Sequence, residues 1–337
     1  VDDQTSATKV QLFPPEVATR VRWDNWPDTP LPADTAAGQN PPDGAIIDYY
    51  LRSDVSGEAS LDIRDERGRT VRHYSSNLPP AEERLANAPE FWFAPPAVLS
   101  TKAGLHRFVW NLQWEHPDTL PFGYSGRLLN YTEYTVPDHA IAGQTPRHQP
   151  PGPYVVPGRY EVVLTIAGET HRQTLVVKID PRVSTSQTDL QTQLDLARQI
   201  TDAMAASYRS FYDLAAMTKA LAERRKSKPD IKALTEAITI LEKQIAELAD
   251  GIDTRPGFGL INRDLARYLT MIESADMRPA QSARANANVA CEALRTNLAR
   301  WRTVNSDKLP GLNKLLQQNN LDAVPIIQPP ADPLCVP

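Results

Sequence analysis

The hydrophobic period of this chain changes once, near residue 181, and that change limits the fold more than any single motif does. Before it, apolar residues alternate. Ala45, Ile47, Tyr49 and Leu51 fall on one side and Asp48 and Tyr50 on the other, the pattern of a strand with one buried face. After it, apolar residues recur at three- and four-residue steps: Leu190, Leu194, Ala197, Thr201, Met204, Tyr208, Phe211 and Ala215. A period of two suits a sheet and a period near 3.6 suits a helix, so the sequence predicts two kinds of structure in one chain. At 337 residues there is material for two cores.

Composition divides at the same place. Residues 1–180 hold 16 Lys+Arg against 23 Asp+Glu, whereas residues 181–337 hold 20 against 18. Twenty of the thirty prolines and all six histidines lie in the first part. The overall net charge of −5 argues against a nucleic-acid binder, which would carry a basic face. No run approaches the roughly eighteen apolar residues of a membrane helix, so no transmembrane segment of its own is expected. The chain opens "VDDQTSATKV", without Met. It reads as a processed or trimmed product, and the lack of a leader there says nothing about compartment.

In the first part, "GEASLDIRDERGRTVRHY" places Ala59, Leu61 and Ile63 on one face, turns at Asp65-Glu66-Arg67-Gly68 and resumes at Thr70-Val71. "GLHRFVWNLQW" aligns Phe108, Trp110, Leu112 and Trp114. "GRYEVVLTIAGETHRQTLVVKI" gives a second hairpin, turning at Ala167-Gly168-Glu169. Short strands with Gly/Pro punctuation suggest an antiparallel, immunoglobulin-like β-sandwich over 45–180, preceded by an extended arm at 1–44. Two long insertions, 76–103 and 115–157, interrupt it. Loops of that length are functional or wrap a neighbour.

In the second part, Ser184 to Ser186 supply N-cap candidates for a long first helix. After Pro229-Asp230 the stripe Ile231, Leu234, Ile238, Leu241, Ile245, Leu248 and Ile252 reads as a helix packed at a shallow angle. "GIDTRPGFG" breaks it. A third helix follows (Ile261, Leu265, Tyr268, Ile272), then a fourth from Pro279 with Ala287, Cys291, Leu294, Leu298 and Trp301. The prediction for 181–324 is an up-down helical bundle of about four helices, with a Pro-rich tail at 325–337. The fold class is thus α+β and multidomain.

Several stretches together, "DTPLPADTAAGQNPPDGAIIDYYL", "LDIRDERGRTVR", "GLHRFVWNLQW", "PGRYEVVLTIAGETHRQTLVVKIDPR" and "LPGLNKLL", resemble the C-terminal region of large secreted bacterial proteins. Those proteins carry a sortilin- or sialidase-type (Asp-box) β-propeller and are often labelled glycosyl hydrolases. The resemblance covers about residues 10 to 325. It implies a periplasmic or extracellular location, an Ig-like domain and a helical domain. The propeller and its Asp-box are absent from this sequence, so the resemblance carries over no catalytic residue.

The candidate sites are few. Asp43 and Asp48 are the right residue type for paired acid/base carboxylates. Yet Asp43 precedes Gly44 in a turn and Asp48 faces away from the apolar stripe, so the reading is a strand entry. Glu115, His116 and Asp118, with His106 nearby, contain metal-ligand and hydrolase residue types but match no ligand spacing; no metal and no cofactor is expected. Phe91, Trp92, Phe93, Tyr124, Tyr131 and Tyr134 stud the insertions. Exposed, they could stack on sugar rings or dock a partner; buried, they would seal one domain against the other. Cys291 and Cys335 form either a disulfide that clamps the tail or a buried thiol and a frayed end. "NYT" (130–132) is an incidental sequon, and "ERRKSK" (223–228) a solvated helix end. The expected function is a non-catalytic, extracytoplasmic structural or interaction protein, with no coherent catalytic set. Its partners would be proteins of a larger complex, a membrane assembly among the candidates. The alternative is a glycan-binding accessory module of a carbohydrate-active propeller protein.

Overall fold

The computed structural model describes residues 8–22, 36, 38, 42–78, 97–120 and 152–335. These divide into two units, one holding the described residues within Val1–His116, Asn130–Leu194 and Glu273–Arg278, the other those within Pro117–Leu129, Asp195–Ile272 and Pro279–Pro337. The fold is mixed, with two largely antiparallel sheets in the first unit and helices in the second.

The first unit holds two sheets. In one, β3 (Ala45–Leu51) lies between β1 (Val10–Leu12) and β6 (Gly104–Trp110), all antiparallel, with Leu12 opposite Tyr49 and Ala45 opposite Trp110. The other has the order β2-β8-β7-β4-β5, from Ala18–Arg20, Glu169–Ile179, Gly158–Ile166, Ala59–Arg64 and Thr70–Ser75. Its one parallel pair is β2 with β8, Arg20 lying opposite Ile179. Two strands therefore form within the stretch expected to be an extended arm.

The alternation predicted for β3 is present residue by residue, with Ala45, Ile47, Tyr49 and Leu51 buried. These join Leu61, Ile63, Val162, Leu164, Leu175 and Trp110 in one core that draws on both sheets. Trp110 is fully buried; its indole N–H donates to the Gln113 carbonyl at 3.0 Å and its ring meets the edge of Tyr160. Phe108 and Leu112 are buried too, but Trp114 is only half-buried. The strand ends at Trp110, and Leu112 takes a left-handed φ of 59°, which breaks the alternation before Trp114. Gly44, where the chain enters β3, has φ 136°, and a Cβ there would strike the Trp110 carbonyl. Glycine is required at that entry for both reasons.

The helical unit is built from α1 (Gln187–Ser227), α2 (Lys232–Ala249), α3 (Phe258–Ile272), α4 (Gln281–Thr303) and α5 (Leu309–Gln318), with a π-helical segment, Val304–Lys308, between the last two. The first two turns of α1 count with the sheet unit. Ser186 caps α1: its hydroxyl donates to the Asp189 carboxylate at 2.7 Å and accepts the Asp189 N–H at 3.1 Å, satisfying one of the free N–H groups of the first turn. Helices α1 to α5 all contribute to one core. No described helix is long and apolar enough to cross a membrane.

The stripe predicted for α2 is buried at Leu234, Ile238, Leu241, Ile245 and Leu248. Ile252 leaves it, lying 42% exposed in a two-residue strand, β9 (Gly251–Ile252), that pairs with β10 (Arg255–Pro256). On α1 the buried face continues after Met204 through Ser207, Ser210, Leu214, Met217 and Leu221, not through Tyr208, Phe211 and Ala215. The serines are tolerated inside because Ser207 donates to the Met204 carbonyl and Ser210 to that of Ala206. An apolar search follows the aromatics and so takes the wrong face.

Candidate functional site

Asp48 and Glu115, singled out in the sequence, are each engaged by an arginine of a neighbouring strand. Asp48, outward on β3, receives both Nε and Nη2 of Arg107 from β6, at 2.9 and 2.8 Å, an ion pair across the strands. Asp43 is exposed in the turn before it. Glu115 pairs with Arg72 of β5, and the His116 Nε2 stands 3.9 Å from the same carboxylate. The Asp118 carbonyl accepts a hydrogen bond from Asn262. His106 bonds the Lys102 carbonyl through Nε2 at 2.6 Å and stacks at a tilt on Tyr49. Among the described residues no group of three His, Cys, Asp or Glu side chains could hold a metal ion. Phe91, Trp92, Phe93, Tyr124, Tyr131 and Tyr134 lie outside the described residues. Cys291 and Cys335 are bonded to one another, their Cα atoms 5.6 Å apart.

The most concentrated chemistry in the sheet unit is a buried ionic cluster that sequence reasoning missed. Parallel pairing with β8 fixes β2 so that Ala18 and Arg20 point inward and Thr19 outward. Arg20, 1% exposed, donates through Nη1 to the Val155 carbonyl at 2.6 Å and through Nη2 to Asp276. Two residues on, Arg22 donates through Nε to Asp276, through Nη1 to the Glu273 carbonyl and through Nη2 to Glu273 Oε2 at 3.0 Å. Both guanidinium groups lie over the Tyr154 ring, 5.3 and 4.4 Å from its centre. The Glu273 carboxylate also accepts the Tyr154 N–H at 3.3 Å. The segment that brings the carboxylates is tied further, since Thr185 donates to the Asp276 carbonyl at 2.5 Å and Gln193 to the Ala275 carbonyl at 2.7 Å.

The electrostatics follow from burial opposed by pairing. Burial pushes the Glu273 carboxyl above the usual range, against the pull of Arg22. Burial lowers Arg20, only partly offset by Asp276. For Arg22 burial also lowers, but Glu273 and Asp276 outweigh it and the net shift is upward. Two cations facing two carboxylates leave the cluster formally neutral, and each carboxylate already bonds guanidinium groups. Such an arrangement fixes chain segments.

No family model, curated protein or solved structure matches this chain.

A second grouping lies around the β4–β5 hairpin. The Arg69 guanidinium sits 5.6 Å from the centre of the Trp114 ring, and Arg72 sits 5.2 Å from that of Tyr74. Tyr74 packs edge-on against Phe108 at 4.5 Å. The cations are paired in turn, Arg69 with Asp65 and Arg72 with Glu115. For the buried cluster the sequence signal was only an Arg at the inward position of "ATR", too slight to single out.

Proposed function

We propose that this chain is a non-catalytic, extracytoplasmic structural or interaction protein that docks onto a larger assembly, a membrane complex among the candidates. In this reading its sheet unit is an immunoglobulin-like sandwich, its helices an up-down bundle, and the whole corresponds to the C-terminal region of secreted bacterial proteins with sortilin- or sialidase-type propellers. The observation that carries the reading is the use made of charged side chains. Arg20, Arg22, Glu273 and Asp276 hold backbone segments together in the interior, and Asp48 and Glu115 are engaged by arginines of neighbouring strands. The Cys291–Cys335 bond supports a location outside the reducing cytoplasm. The second reading is a glycan-binding accessory module of a carbohydrate-active propeller protein, with Phe91, Trp92, Phe93, Tyr124, Tyr131 and Tyr134 as its contact candidates.

The test is the mass of the native protein, extracted gently from its own cells and measured by size exclusion with light scattering. Elution in a defined larger complex is expected, with co-eluting chains identified by peptide sequencing. Elution as a free monomer contradicts the stable-subunit reading. Glycan binding that is lost on Trp92→Ala would then favour the accessory module.

A further inference from the structure

The proline-rich segment that follows α5 has no secondary structure of its own, and the helical unit holds its two halves by different means. The inner half, Val324 to Ile327, is held as core is held. Val324 is 1% exposed and belongs to the helical core, with Ile327 packed against it. Asn313 of α5 bonds Val324 twice: its Nδ2 donates to the Val324 carbonyl at 3.0 Å and its Oδ1 accepts the Val324 N–H at 2.8 Å. Asn305, in the π segment, donates to the Ile327 carbonyl at 2.8 Å.

The outer half, Gln328 to Cys335, has no such anchor. Leu334 is 81% exposed, and Pro329, Pro330, Pro333 and Cys335 are only partly buried. Among the described residues, Arg302 of α4 is the one side chain elsewhere in the unit that donates hydrogen bonds to it. Its Nη2 reaches the Pro330 carbonyl at 3.1 Å and the Asp332 carboxylate at 2.7 Å. Both partners of that ion pair are more than a third exposed, and an ion pair so open to water adds little. What remains is the covalent bond from Cys291 to Cys335. Parts of a fold with few buried contacts are the ones that open locally. A single bond therefore decides whether the outer half stays on the unit.

We propose that residues 324–335 form a two-part strap in which the outer half is a redox latch: reduction of the Cys291–Cys335 bond frees Gln328 to Cys335 while Val324 to Ile327 stay seated. Cys335 shares a cleft with Ile200 and Ala203 of α1, Leu265 of α3 and Ala287 of α4, all of them buried. Opening the latch uncovers that apolar cleft and releases the Arg302 guanidinium from Asp332, so redox state controls what this face presents. The chemistry is thiol–disulfide exchange with a dithiol. Cys291 is 5% exposed and Cys335 is more open, so the attacking thiolate reaches the Cys335 sulfur. Cys291 leaves as a thiolate and takes up the proton that the dithiol lost. The second thiol of the reductant then displaces Cys335 as a thiol, and the reductant departs as its cyclic disulfide. Two electrons and two protons pass to the protein. The latch does not depend on the scaffold reading above and stands or falls without it.

The test compares the full-length chain, oxidised and after treatment with dithiothreitol, by backbone NMR relaxation. On reduction the order parameters of Ala331, Asp332 and Leu334 are expected to fall from about 0.85 to below about 0.6, the range of flexible backbone. Those of Val324 and Ile327 are expected to hold, and the Val324 amide to keep its protection from hydrogen exchange within about twofold. Cys335→Ser in oxidising buffer should reproduce the reduced pattern, which separates loss of the bond from any other action of the reductant. An outer half that stays ordered after reduction overturns the latch, because Arg302 and the prolines then suffice to seat it. Loss of order at Val324 together with Leu334 also overturns it, since the segment would then be one staple with no division at Ile327.

Discussion

At the scale of single residues, the sites that matter most are those where backbone geometry conflicts with the side chain present. The β7–β8 turn is the clearest. Ala167 and Gly168 both adopt positive φ, 51° and 79°, between the paired residues Ile166 and Glu169. That is the two-residue turn whose twist matches the strands, and it favours Asn-Gly. An alanine held in the left-handed region is disfavoured by about 1 kcal/mol. Ala167→Asn is therefore expected to stabilise the sheet unit by about that amount, seen as a higher denaturant midpoint; an unchanged midpoint would contradict the strain argument. Asn262 is the opposite case, a buried polar residue with nearly every valence used. Its Oδ1 accepts the Leu120 N–H at 2.9 Å, while Nδ2 faces the carbonyls of Asp118 and Met204 and the Ser207 hydroxyl. Nothing in the sequence set this asparagine apart, because its partners come from two distant segments.

At the scale of elements, the junction between β8 and α1 is set by one ion pair. Asp180 accepts the Arg182 backbone N–H at 2.9 Å and the Arg182 guanidinium at 2.5 Å, and its own carbonyl accepts the Val183 N–H. The Arg182 side chain, and then its backbone N–H, hold the Asp180 carboxyl down at about 2, below the ordinary value of 3.8. A depressed carboxyl stabilises the fold above its unfolded pKa, and that contribution is lost as pH falls. Stability from this junction is therefore expected to decline between pH 3.8 and about 2. Arg182→Ala should move the Asp180 midpoint, followed by NMR titration of the carboxyl carbon, up toward the ordinary value. No movement would show that the guanidinium is not the cause. The helices were more legible than this junction. The α2 stripe was readable because every buried position on it is aliphatic, whereas α1 misled because Ser207 and Ser210 take inward positions through bonds to carbonyls of their own helix.

At the scale of the whole molecule, the chain does not divide where its period changes. The sheet unit takes in the start of α1 and also Glu273–Arg278, a piece of chain between two helices of the other unit. What holds that piece is the cluster of Arg20 and Arg22 with Glu273 and Asp276. Removing one partner of a buried pair leaves the other charge uncompensated, at a cost of about 3–5 kcal/mol. Arg20→Ala is expected to destabilise the sheet unit by that order in chemical denaturation. It should also speed amide hydrogen exchange within Glu273–Arg278. A loss under about 1 kcal/mol would mean that Arg22 alone suffices.

The sequence by itself determined the two kinds of structure, the alternation of β3, β4 and β7, and the stripe of α2, because period and burial are local consequences of strand and helix geometry. Only the tertiary structure decided that 10–12 and 18–20 become strands, that Arg20 and Arg22 meet Glu273 and Asp276 some 250 positions on, and that Cys291 reaches Cys335. The same holds for the track of Asn313, Asn305 and Arg302 along the proline-rich segment. Each of these depends on which distant backbone groups come within hydrogen-bonding reach, and no local pattern in the chain encodes that distance.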